Sequence, residues 1–130
     1  MKLRCTTNSL RLRVRKSDLD TLQKEGSIAE HLVFAPQTSF RFSLHITQGF
    51  TEVKAIFEDQ EIRVHLPEQQ AQAWINSNQV GIQTTQVINE AQEALSILIE
   101  KDFPCDDRPN EDKKDTFWEL AQEDGKSEVC

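Results

Sequence analysis

Apolar and polar residues alternate most cleanly at residues 10–15. Leu10, Leu12 and Val14 fall in one phase and Arg11, Arg13 and Arg15 in the other. A period of two marks a half-buried strand. Residues 40–46 repeat the pattern, with Phe40, Phe42, Leu44 and Ile46 inward and Arg41, Ser43 and His45 outward. Residues 2–5, 28–34, 53–57, 62–66, 80–87 and 95–99 read as further strands. Those at 53–57 and 62–66 flank the turn Glu58-Asp59-Gln60-Glu61 and so form a hairpin. Two segments change to helical spacing. Over residues 17–25, Ser17 is the expected N-cap, Asp18 and Asp20 suit the first turn, Leu19 and Leu22 share a face, and Gly26 stops the helix. Over residues 67–76, Pro67 opens the helix, Ala71, Trp74 and Ile75 form its apolar stripe, and Asn78 ends it.

The order is β-β-α-β-β-β-β-α-β-β, with short turns between most strands. It predicts an α+β domain: a mostly antiparallel curled sheet, or half-open barrel, of about seven to nine strands with two helices. The expected core includes Leu10, Leu12, Val14, Leu19, Leu22, Phe40, Phe42, Leu44, Val64, Trp74, Ile97 and Ile99. A shift of about 52 positions lays one half of the body on the other. Leu10, Leu12 and Val14 fall on Ile62, Val64 and Leu66, and Leu19 and Leu22 on Ala71 and Trp74. The correspondence is one of character rather than identity, and it hints at pseudo-symmetry.

From Phe103 onward the periodicity ends. Pro104, Pro109 and the polar run 110–115 mark a solvated tail, so the body is expected at residues 1–103 and an acidic tail at 104–130. One island breaks the tail: Thr116-Phe117-Trp118-Glu119 has the form of a capping box ahead of Leu120 and Ala121.

The net charge of −7 is unevenly placed. Residues 102–130 carry ten acids and four bases, whereas residues 1–101 are nearly balanced. A near-neutral body does not favour nucleic acid, and no aromatic residue interleaves with the arginines to stack on bases. No apolar run is long enough to span a bilayer, and residues 1–6 lack an apolar leader region. Cys5, Cys105 and Cys130 are odd in number and far apart, without Cys-x-x-Cys or a neighbouring His. Reduced thiols and a cytoplasmic location are the expectation, with no zinc site.

Catalytic signatures are sparse. The four glycines form neither a P-loop nor a dinucleotide fingerprint, and there is no Gly-x-Ser-x-Gly elbow. Cys105 precedes two acids, which raise rather than lower a thiol pKa. The acids from Asp106 to Asp112 lack the spacing and central glycine of a calcium loop. His31, His45 and His65 lack metal-ligand spacing, although His45 and His65 can meet across strands.

The outward phase of the strands is rich in arginine. Arg4, Arg11, Arg13, Arg15, Arg41, Lys54 and Arg63 all occupy it. A guanidinium binds two oxygens of a phosphate or carboxylate at once, so Arg11, Arg13, Arg41 and Arg63 are the candidate anion-binding residues. Cross-strand pairing with Glu52, Glu61 or Glu100 would neutralise the same face. Phe117, Trp118 and Leu120 are the candidates for docking a partner, or for docking the tail on the body.

Three stretches resemble an uncharacterised family of short bacterial proteins. They are Met1-Lys2-Leu3-Arg4 with Asn8-Ser9-Leu10-Arg11-Leu12-Arg13, the Val80-Gly81-Ile82 that follows the Trp74 helix, and Leu95-Ser96-Ile97-Leu98-Ile99-Glu100-Lys101-Asp102-Phe103. The last is followed by Cys105 and an acidic stretch ending in Asp115-Thr116-Phe117. Thr7 stands where the family has Gly, and Trp118-Glu119-Leu120 where it has Asn-Pro. The resemblance implies no catalytic residue. An Arg-lined barrel is also the architecture of the triphosphate-tunnel enzymes, whose first strand looks like Glu-x-Glu-x-Lys. Lys2-Leu3-Arg4-Cys5 supplies no acid for their metal. The expectation from these features is a non-catalytic binding module, without cofactor, for a phosphate-bearing or other anionic ligand. The alternative is an interaction or regulatory protein acting through its C-terminal segment, and an enzyme of unrecognised type is the least expected reading.

Overall fold

The computed structural model describes residues 1–103. The elements are β1 (Lys2–Thr6), β2 (Ser9–Val14), α1 (Lys16–Glu25), β3 (Ser27–Ala35), β4 (Thr38–Thr47), β5 (Lys54–Glu58), β6 (Glu61–Pro67), α2 (Glu68–Ile75), β7 (Gly81–Val87) and β8 (Ala94–Lys101). This is the expected order of eight strands and two helices. Cys105, the turn around residues 116–119, and Phe117, Trp118 and Leu120 lie outside the described residues.

Four hairpins form the strands. Asn8 at φ 52° turns β1 into β2, Gln37 at 65° lies between β3 and β4, and Asp59 and Gln60 at 52° and 63° turn β5 into β6. Two consecutive left-handed residues match the right-handed twist of the flanking strands, which is why the β5–β6 loop needs only two. The β7–β8 loop is longer, and the Asn89 carboxamide oxygen accepts from the N–H groups of Ala91 and Glu93.

The hairpins do not form one sheet. They divide into two four-stranded sheets, ordered β1-β2-β8-β7 and β3-β4-β6-β5. Each sheet joins a hairpin from one half of the chain to a hairpin from the other. The outer ladders are antiparallel, but the central ones, β2 with β8 and β4 with β6, are parallel. Alternation tells which side of a strand is buried and says nothing of its partner, so the parallel centres were outside the expectation of a mostly antiparallel sheet.

The repeat is visible in the topology. Lys54–Glu58 and Glu61 lie 52 positions after Lys2–Thr6 and Ser9, and each half runs β-β-α-β-β. Leu22 and Trp74, also 52 apart, are both fully buried. The inner faces of both sheets enclose one core, with Leu12, Val14, Ile97 and Ile99 on the first sheet and Leu44, Val64 and Leu66 on the second. Each such side chain contributes about 1.5–3 kcal/mol when fully buried. Leu19 and Phe40, expected inside, are only partly buried against this cluster.

The seams between the sheets are bridged by side chains. At one seam the Gln86 carboxamide on β7 accepts from the Ala55 N–H at 2.9 Å and donates to the Ala55 carbonyl at 3.0 Å. It imitates a strand neighbour for the edge of β5, which would otherwise present bare backbone groups. At the other seam the Met1 ammonium lies 3.3 Å from Glu30 of β3.

Both helix starts differ from expectation. The cap of α1 is at Arg15 rather than Ser17, because the Asp18 carboxylate reaches back to accept from the Arg15 N–H at 2.9 Å. Pro67 ends β6 and caps α2, which stops at Asn76 instead of Asn78. Gly26 closes α1 as expected, with φ 82° and its N–H donating to the Leu22 carbonyl.

Candidate anion-binding face

The register sorts the outward residues into rows. On the first sheet, Lys2, Arg13, Glu100 and Gly81 form one row and Arg4, Arg11, Leu98 and Gln83 the next. On the second, one row is Ser27, His45, His65 and Lys54, another Ala29, Ser43, Arg63 and Ile56, and a third His31, Arg41, Glu61 and Glu58. The four candidate arginines are therefore divided. Arg11 and Arg13 lie on the outer face of the first sheet, Arg41 and Arg63 on that of the second, with the core between.

Arg13 is a special case. It keeps the outward phase yet is 9% exposed, and its Nε donates to Glu100 at 2.8 Å. Its Nη1 is 3.6 Å from Asp102, and Phe103 lies against the guanidinium at 5.0 Å from ring centroid to Cζ. Gly81 completes that row because the backbones approach closely: a Cβ there would sit 2.8 Å from the Ile99 carbonyl oxygen. Alternation could not foretell the burial of Arg13, since its partner lies 87 residues away.

The second sheet carries a connected polar network. Ser43, 1% exposed, donates to Glu61 at 2.6 Å. Its proton thus engaged, Ser43 Oγ accepts from His45 Nε2 at 2.8 Å, which fixes the tautomer of His45. The His45 and His65 rings stack with centroids 5.3 Å apart. His65 Nδ1 bonds the Thr47 hydroxyl at 2.9 Å, and Phe50 lies 5.0 Å from its ring. The Ser43 hydrogen bond is the main reason the Glu61 carboxyl titrates below its usual range, with Arg63 and Arg41 adding to it. Burial is the main cause that lowers the pKa of both histidines. For His45, Glu61 pulls the other way while Arg63 and Arg41 press it down. For His65 the other ring, Arg63 and Lys54 all act in the same direction as burial.

The arginines here are only loosely held. Arg41 is 3.7 Å from Glu61, and Arg63 is 3.4 Å from Glu61 and 3.7 Å from Glu58. Beside the histidines, Thr47 and Phe50 also line an open cleft of about 420 Å³ between the β4–β5 loop and the first turn of α2. No group of three or more His, Cys, Asp or Glu among the described residues is placed to hold a metal. No helix there is long and apolar enough to cross a membrane.

The expectation of a meeting between His45 and His65 rested on the outward phase of both strands. Sequence reasoning missed the parts played by Ser43, Thr47 and Phe50. Ser43 and Thr47 share the phase of His45, which is the signal that was available. No curated protein and no solved structure matches the chain. A family of unknown function, DUF7009, matches residues 1–120, and the chain belongs to that family.

Proposed function

We propose that this protein is a non-catalytic binding module that takes an anionic group, phosphate or carboxylate, on the outer face of its second sheet. The observation that carries this reading is the stacked pair His45–His65, set between Arg63 and Lys54 and opening through Thr47 and Phe50 onto the cleft. Two histidines kept neutral by burial and neighbouring cations form a site that gains by meeting negative charge. An incoming anion relieves the repulsion, and the rings then donate to it as imidazolium. Arg41 and Arg63 supply the forks, and their long contacts to Glu61 and Glu58 leave room for exchange of partner. Arg11 and Arg13 are placed outside this site. Binding is favoured over catalysis because the Ser43 hydroxyl is buried and already donates to Glu61.

Within this reading the two sheets are the halves of a half-open barrel, with seams bridged by Gln86 and by Met1. The exposed free thiol of Cys5 supports a reducing, cytoplasmic setting.

The test is thermal unfolding near pH 6.5 with phosphate, pyrophosphate and nucleotides. Ligand held at about 100 times its Kd should stabilise the native state by about 2.7 kcal/mol. The rise in melting temperature should vanish in Arg63→Ala and weaken in Arg41→Ala. Flat curves with every anion, or a rise that survives both substitutions, would overturn the proposal.

A further inference from the structure

The two central strands of the second sheet, β4 and β6, run parallel and end together at the register pair Thr47–Pro67. In open sheets with parallel strands, ligands bind in the crevice beyond the carboxyl ends of the strands. Here that crevice is the cleft of about 420 Å³ between the β4–β5 loop and the first turn of α2. Its size is that of a small-molecule site. A lone phosphate on the histidine pair leaves most of it unfilled.

The repeat sets this end of the fold apart from its counterpart. Asp18, 52 positions before Gln70, is buried in the first turn of α1, where it accepts from the Arg15 N–H at 2.9 Å and pairs with the Met1 ammonium at 2.9 Å. Gln70 is exposed, and its amide donates to the Thr51 carbonyl of the β4–β5 loop at 3.4 Å. One half thus buries a bound carboxylate where the other keeps an exposed amide on the wall of the cleft.

The lining has two unlike ends. At the histidine end, Thr47 bonds His65 at 2.9 Å and the Phe50 ring lies 5.0 Å from the imidazole, with Lys54 paired to His65 in the register. Phe50 is only partly buried and lines the cleft, so its ring offers an apolar surface there. At the helix end, Glu68 and Gln70 line the cleft and are exposed. The first end favours an anionic head. The Glu68 carboxylate disfavours a second negative charge at the other and accepts from hydroxyl groups instead. The complement of this lining has its charge at one end and an uncharged body that combines a flat ring with hydroxyl donors.

We infer that the cleft takes a nucleoside monophosphate, an inference that rests on the anion site proposed above. The phosphate lies on His45 and His65, the base stacks on Phe50, and the ribose hydroxyls donate to Glu68.

Calorimetric titration of the full chain at about pH 6.5 compares inorganic phosphate, pyrophosphate, a ribose phosphate and nucleoside monophosphates. A nucleoside monophosphate should bind about tenfold or more tighter than either phosphate or the ribose phosphate, the scale of one base stacked on an aromatic ring. Phe50→Leu keeps an apolar contact for His65 but removes the flat face. It should abolish that advantage and leave pyrophosphate affinity unchanged. Removing both ribose hydroxyls should weaken binding to the unaltered chain about fivefold, the scale of a lost hydrogen bond, and should cause no further loss in Glu68→Ala. If nucleotides bind no tighter than phosphate while phosphate still binds, the inference fails and the anion site stands. An advantage untouched by Phe50→Leu also overturns it, because the base then lies elsewhere. If no anion binds at all, the anion site fails and this inference falls with it.

Discussion

His45 on β4 and His65 on β6 face each other in the parallel register of the second sheet, their rings stacked 5.3 Å apart. The repeat places a different pair at the equivalent position of the first sheet. Arg13 lies 52 residues before His65, and its register partner is Glu100. One sheet thus holds a buried ion pair, and the other holds two stacked rings, each with one ring nitrogen already hydrogen-bonded. On the account proposed above, the first pair serves stability and the second serves binding.

The histidine pair makes stability depend on pH. Both folded-state pKa values lie below the ordinary value of about 6.5, so the unfolded chain binds more protons in the interval between them. Their contribution is fully present above about pH 6.5 and is lost as pH falls below it. The melting temperature should therefore decline from pH 7 toward pH 5, and His45→Asn with His65→Asn should flatten that decline. Further acidification should bring a second loss as Glu61 and Asp18, both held below the usual carboxylate range, take up protons.

Breaking the Arg13–Glu100 pair from one side should be costly. Both side chains are about nine-tenths buried. Arg13→Met or Glu100→Leu alone should lower the unfolding free energy by about 3–5 kcal/mol, because a charge is left buried without its partner. The double variant should recover most of that loss. Urea unfolding of the three chains checks both statements.

Much of the architecture was legible because alternation and helical spacing report which side of an element is buried. Leu10, Leu12 and Val14 could be read as inward without knowledge of their neighbours, and the 52-residue echo in Ile62, Val64 and Leu66 hinted at the repeat that the element order displays. Strand partnership was not legible. The parallel pairing of β2 with β8 depends on which hairpins meet in space, and no local pattern encodes that. The same limit applied to the arginines. Their outward phase was clear, but their division between two sheets, and the burial of Arg13 under Glu100 and Phe103, follow from long-range pairing alone.

Gly81 should not tolerate a side chain. An added Cβ would meet backbone, the Ile99 carbonyl oxygen at 2.8 Å, and backbone cannot rotate aside. Gly81→Ala should destabilise by about 1–3 kcal/mol, as overpacking does. Denaturant midpoints of the two proteins measure it.

Gln86 should matter beyond its exposure. Gln86→Ala removes both hydrogen bonds to Ala55 and leaves those backbone groups at the β5 edge unpaired. A loss of about 1–3 kcal/mol is expected, together with faster amide exchange at Ala55. Slow exchange at Ala55 in the variant would show that the seam does not depend on the carboxamide.

The most direct measurement is the titration of His45 and His65 by NMR, followed through their ring proton signals with and without pyrophosphate. In the free protein both should titrate below the ordinary histidine range. With pyrophosphate bound, both should titrate at higher pH, because the anion stabilises the imidazolium form. If pyrophosphate at saturating concentration leaves the His45 and His65 titrations unmoved, the second sheet does not hold the anion site.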